Sequence, residues 1–149
     1  MTSRKSSAVP EVELRRAAAF RSALRRFLAR TNEVSAGAGL TSQRYDLLLA
    51  IKTGDGETST VGELVQRLSL PQPAVTELVK RAEEVGLIER AVSATDRRVS
   101  VLRLTAQADE RLIRAFVALR QERSQLAEAM RALDASFRAF ARSQDEGTE

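Results

Sequence analysis

Residues 94–105 read ATDRRVSVLRLT. Ser93, Ala94, Thr95 and Asp96 are small or polar and suit the tip of a turn. LIERAV at 87–92 and VSVLRL at 99–104 are β-prone runs on either side, so the stretch reads as a two-stranded ribbon. A turn has no need of two guanidinium groups, yet Arg97 and Arg98 follow Asp96 directly. An isolated Asp-Arg-Arg reads as a solvated loop carrying a charge pair. The segment upstream argues for a role.

Thr60-Val61-Gly62-Glu63 has the S/T-x-x-E form of a capping box and opens a short amphipathic helix with Val61, Leu64, Val65 and Leu68 inward. SLPQP at 69–73 breaks the chain, and Pro73 suits the first turn of a new helix whose inward face is Val75, Leu78, Val79 and Ala82. Gly86 ends that helix as a left-handed cap, with apolar Leu87 after it. Two short helices joined by a tight turn form a helix-turn-helix, and with the ribbon they make a winged helix.

The flanks are helical. Phe20, Leu24, Phe27 and Leu28 form one apolar stripe on an arginine-studded helix from Val9 to about Asn32, ended by SAGAG at 35–39. Thr41 caps a second helix through Lys52, with Tyr45, Leu48 and Leu49 on one side and Leu47 and Ile51 on another; Tyr45 reads as core. From Thr105 to about Arg142 there is no Gly or Pro. Leu112, Phe116, Leu119, Leu126, Met130, Leu133, Phe137 and Phe140 alternate by four and three, with Arg123 the one polar member of the series. This seam predicts a partner helix and a homodimer, and leaves open whether 105–142 is one helix or two parted near Ser124.

Composition removes most enzymes. At 149 residues, 43% of them hydrophobic, the chain is long enough to bury a core. It has no Cys and no His, which excludes disulfides, Cys/His metal sites, thiol peroxide sensing and the acid-base or nucleophilic chemistry of those side chains. No cofactor, no metal and no catalytic residue is expected. MTSRKSSAVP lacks the apolar run of a signal sequence and nothing approaches a membrane span, so the expectation is a cytoplasmic protein with no membrane partner. Arg4, Lys5, Arg15, Arg16, Arg21, Arg25, Arg26 and Arg30 face only Glu11 and Glu13 in residues 1–32, whereas residues 41–104 balance nine basic against nine acidic residues. If that middle segment meets DNA, placement rather than net charge must do it.

From about residue 10 to 142 the chain resembles the MarR (multiple antibiotic resistance regulator) family of winged-helix transcription factors. Asp96-Arg97-Arg98, then VSVLR, then Leu104-Thr105 fit the family's D-x-R-x5-L-T wing signature at every fixed position. VGELVQRLSL and PQPAVTELVKRAEEVGLIER stand where the family has its helix before the turn and its recognition helix. The resemblance implies a mainly α fold with a small β-wing: one domain over 1–149, with a winged-helix part at 41–104 and long dimerisation helices at 10–32 and 105–142. It implies that the Asp96 carboxylate orients the guanidinium of Arg98 into a minor groove, where narrow A·T-rich sequence concentrates negative potential. Arg97 is expected at phosphate.

On the recognition helix Gln72, Thr76 and Lys80 are spaced i, i+4, i+8 and are read as pointing together into a major groove. Gln72 suits adenine, Thr76 a thymine methyl, and Lys80 guanine or phosphate. Pro73 lies near enough to the helix start to touch a thymine methyl. Glu77 departs from the basic or neutral residue many relatives carry there, and is expected to pair with Arg81 or to accept from a cytosine amino group. Dimerisation is assigned to Phe20, Leu126, Met130, Leu133, Phe137 and Phe140. The function implied is a homodimeric repressor of an inverted-repeat operator, released by a small-molecule effector bound between the helical and winged parts. The competing class is a winged-helix protein-interaction module without specific DNA binding, which the balanced middle segment permits.

Overall fold

The computed structural model describes residues 9–145, except for the side chains of residues 140, 141 and 143–145. The element order is α1 (Glu11–Gly37), α2 (Ser42–Lys52), a single 3-10 turn (Asp55–Glu57), β1 (Thr58–Ser59), α3 (Val61–Leu68), α4 (Gln72–Glu84), β2 (Ile88–Val92), β3 (Ser100–Leu104), α5 (Ala106–Ala118) and α6 (Arg120–Asp145). The fold is mainly α with one small antiparallel sheet, as the sequence predicts. Among the described residues two compact units result: residues 31–118, and residues 9–30 with 119–145.

The 31–118 unit is built on the predicted punctuation. Thr60 Oγ1 accepts the Glu63 N–H at 3.2 Å while the Glu63 carboxylate accepts the Thr60 N–H at 2.8 Å, so the capping box is closed in both directions. Ser69 ends α3 in the left-handed region, and α4 begins directly after Pro71. Gly86, at φ +72°, ends α4: its N–H reaches Glu83 O and the Leu87 N–H reaches Ala82 O, which drives Leu87 into the core. Leu47, Leu48, Ile51, Leu64, Val75 and Leu102 are fully buried around these turns, and Tyr45 is core. Truncating such a leucine to alanine costs about 2–5 kcal/mol.

The sheet has a third strand that the sequence pattern does not reveal. β3 lies between β2 and β1, with Glu89 and Thr58 both opposite Arg103. Arg67 fastens this corner: its Nη1 donates to Ala50 O at 2.8 Å and to Ser59 Oγ at 2.7 Å, tying α3 to the end of α2 and to β1. Gly54 leaves no space for a side chain there, since a Cβ would stand 1.8 Å from the Thr58 carbonyl oxygen.

The question of one helix or two after the wing, left open by the sequence, is answered by two helices whose break is not at Ser124. α5 ends at Ala118 and α6 starts at Arg120, with Leu119 fully buried between them and its carbonyl accepting the Arg123 N–H at 3.0 Å. Ser124 is inside α6. Leu119 fits the apolar spacing of both helices, so periodicity runs through the joint unbroken. The first helix also continues past Asn32, to Gly37.

In the other unit, Arg30 Nε lies 3.4 Å from the Glu122 carboxylate, and Ala23 and Ser136 are buried. Of the six residues assigned to dimerisation, Phe20, Leu126 and Leu133 are half-buried, while Met130 and Phe137 are 53% and 57% exposed. Phe140 is on α6, but its side chain lies outside the described residues. A groove of about 620 Å³ is lined by Ala19, Ala23, Arg26, Glu128, Ala129 and Ala132. Among the described residues no helix is long and apolar enough to cross a membrane.

Candidate nucleic-acid interface

Helix α4 exposes one face and buries the other. Val75, Val79 and Ala82 are its buried stripe. Pro73, Glu77, Lys80 and Glu84 are exposed at i, i+4, i+7, i+11. All four fall two residues from a buried member, about half a turn round the axis. Gln72 and Thr76 are exposed as well, but they sit on a shoulder next to the buried stripe. The i, i+4, i+8 row joining them to Lys80 winds across the exposed face instead of following its centre. Glu77 therefore stands nearer the middle of that face than either residue expected to read bases.

The charges on α4 are organised in pairs. Glu77 Oε1 accepts from Arg81 Nε at 2.7 Å, the i, i+4 pairing the sequence allows. Glu83 is held by Arg90 Nε at 2.8 Å, and across the sheet Glu89 is held by Arg103 Nε at 2.8 Å. Each of these acids is matched by a cation of its own unit. Among the described residues Lys80 has no such partner.

The wing tip is pinned by its own polar side chains. Ser93 Oγ accepts the N–H groups of Thr95 and Asp96, both at 3.3 Å, while backbone bonds run from Ser93 N to Val99 O and from Val99 N to Asp96 O. Asp96 Oδ1 accepts the backbone N–H of Arg98 at 2.9 Å. This differs from the role the family resemblance implies, in which the carboxylate holds the Arg98 guanidinium. The short aspartate side chain closes an Asx turn on the backbone two residues on, which is nearer than the guanidinium. Arg97 and Arg98 are both exposed and line a shallow recess of about 280 Å³ with Arg90, Val92 and Val99. No described salt bridge engages either guanidinium. The cations of 72–98 with no described acid partner are thus Lys80, Arg97 and Arg98, and Glu84 is an exposed acid likewise in no described ion pair.

Sequence reasoning missed Arg67 and Gly54, which position α3. The signal for Arg67 was weak, because an arginine in the last turn of a short amphipathic helix ordinarily reads as solvated. Lys52 was also passed over: its ammonium lies 2.9 Å from both Asp109 and Glu57, and hydrogen bonding to Asp109 first and Glu57 second raises its pKa above 10.5.

The MarR family model matches residues 38–99, the segment that carries the capping box, α4 and the wing. Those residues are similar to the MarR family and hold the winged helix up to the start of β3. The rest of the chain has the fold of MarR regulators as well. It superposes on AbsC, a MarR family transcriptional regulator from Streptomyces coelicolor, with a TM-score of 0.67 and 17% identity over 95% of this chain and 99% of that one. A mutant MarR from E. coli complexed with operator DNA gives 0.60 at 18% identity, covering 87% and 90%. Bordetella bronchiseptica BpsR, whose DNA binding is regulated by 6-hydroxynicotinic acid, gives 0.59 at 17% identity, covering 81% and 94%. At such identities these likenesses establish the fold and not the ligand. No curated protein matches the chain.

Proposed function

We propose that this chain is a cytoplasmic, sequence-specific DNA-binding transcriptional regulator that acts as a homodimeric repressor and works by binding rather than catalysis. The observation that carries the reading is the wing tip, where Arg97 and Arg98 project unpaired from a loop held by Ser93 and Asp96. Pre-ordering lowers the entropy an arginine loses on entering a narrow minor groove. Helix α4 supplies the major-groove element, with Gln72, Pro73, Thr76, Glu77, Lys80 and Arg81 on its exposed surface. Exposure of Met130 and Phe137 supports a second copy against α6, since apolar side chains of that size are ordinarily covered in one assembly or another. Release by a small molecule is proposed by analogy with the regulated DNA binding of BpsR.

The test is a footprint and a mobility shift on fragments of the DNA upstream of the protein's own gene. A protected inverted repeat with half-sites about 10 bp apart is expected. Specific binding should fall when Arg98 becomes alanine. Absence of any specific site would instead favour a winged helix that binds protein, for which the equal numbers of acidic and basic residues in 41–104 are suited.

A further inference from the structure

Glu77 is an acid on the middle of a face that, in the reading above, meets a polyanion. Its carboxylate is neither buried nor used to hold the fold: Arg81, its partner, is equally exposed and on the same helix. A residue so placed either weakens every duplex alike or selects among them. The geometry of the pair decides between these. Arg81 binds Oε1 through Nε, so Oε2 remains open as an acceptor, while the terminal nitrogens of the guanidinium remain open as donors. Lys80, on the same face and without an ion-pair partner, adds further donors.

We propose that the Glu77–Arg81 pair is the specificity-determining element of α4 and selects a C·G base pair in each half-site. In the major groove cytosine offers its N4 amino group with no acceptor beside it. Adenine offers N6 next to the N7 acceptor, and guanine and thymine present O6/N7 and O4. A carboxylate oxygen therefore gains a hydrogen bond at cytosine, meets a repelling N7 beside the donor at adenine, and finds only acceptors at guanine or thymine. The guanine paired with that cytosine turns O6 and N7 toward the groove, and Lys80 or the free end of Arg81 suits them. One ion pair thus matches both halves of a C·G step and opposes the other three arrangements. Arg81 also offsets the charge of Glu77 before it nears phosphate, so the acid opposes duplex binding less than an isolated carboxylate would.

The proposal rests on α4 entering the major groove, and its test separates the two ideas. The whole protein, as wild type, Glu77→Gln and Arg81→Ala, is used to select duplexes from a randomised library, and the enriched sites are then measured by mobility shift at one salt concentration. Wild type should enrich a C·G pair at one position per half-site, preferred about fivefold or more over the other pairs. Glu77→Gln, which keeps shape and loses charge, should erase that preference or redirect it toward adenine, whose N6 and N7 a glutamine amide matches, and should bind random duplex more tightly. Arg81→Ala should bind all duplexes more weakly and reduce the cytosine preference without removing it. A Glu77→Gln profile identical to wild type at every position overturns the proposal while leaving DNA recognition intact. Failure of the wild type to enrich any sequence overturns the DNA-binding reading itself, and the proposal with it.

Discussion

Asp96 Oδ1 lies 2.9 Å from the backbone nitrogen of Arg98 and accepts its N–H. The aspartate acts on the path of the chain, so what it needs is an oxygen and not a charge. Asp96→Asn should therefore retain most of the DNA affinity of the wild type, whereas Asp96→Ala loses the turn and part of the affinity. Titrations of one operator fragment at fixed salt would check this. Equal losses in both variants would mean that the charge itself holds the arginine.

Arg98 carries the larger effect. Arg98→Ala should weaken specific binding by about 1–3 kcal/mol with the thermal unfolding midpoint unchanged. An unaltered affinity would remove the minor-groove role.

The corner held by Arg67 bears on stability. Arg67→Met removes the donor to Ala50 O and Ser59 Oγ and leaves Ala50 O only the longer 3.4 Å bonds from the Thr53 and Ser59 hydroxyls, which should cost about 1–3 kcal/mol. Gly54→Ala should destabilise at least as much, because the carbonyl it meets belongs to the backbone of β1. Urea unfolding of both variants gives the measurement; a Gly54→Ala midpoint at the wild-type value would contradict the packing described.

Burial raises the pKa of the Asp46 carboxyl from its ordinary 3.8. Its folded value thus exceeds its unfolded one, and the stability linked to this proton is complete below the unfolded value and is lost as pH rises through the folded value. The side chain is nonetheless exposed on α2, so at neutral pH the carboxylate bears only a small desolvation cost. Asp46→Asn should accordingly be more stable than wild type at pH 7, with the difference shrinking as the pH approaches 4. Chemical unfolding at a series of pH values tests the trend, and a constant or growing difference on acidification would refute it.

Met130 and Phe137 lie on α6 with more than half their surface in solvent. Met130→Glu should convert a dimer to monomer or unfold it, since a charge would then be buried against a partner. Sedimentation at micromolar concentration reads the outcome. A monomeric wild type would show that the exposed seam serves something else.

The winged helix was legible because its boundaries rest on residues with few alternatives: Thr60 with Glu63, the prolines at 71 and 73, and Gly86. Each imposes its geometry locally, and the periodicity of the helices between them is short and clear. What escaped was non-local. Thr58 and Ser59 become a strand only because β3 is there to pair with them, and Arg67 matters only because the end of α2 comes within its reach. The break at Leu119 was hidden by a leucine acceptable to either helix. At the interface the residue types of α4 were evident but their azimuth was not, which is why Gln72 and Thr76 were preferred to Glu77. The wing was recognised from Asp96 and Arg98, yet the atom that Asp96 bonds needed coordinates.

The pairing of Glu77, Glu83 and Glu89 with Arg81, Arg90 and Arg103 also bears on how such a regulator finds its operator among a chromosome of decoys. Loose attraction to arbitrary duplex scales with the number of phosphates neutralised, and here three cations are already engaged by their own acids, leaving few for that purpose. If the chain binds an operator as proposed, residence on irrelevant sequence is expected to be brief, and with competing sites outnumbering the operator by about 10⁶ or more a smaller pool of molecules would suffice to keep the operator filled.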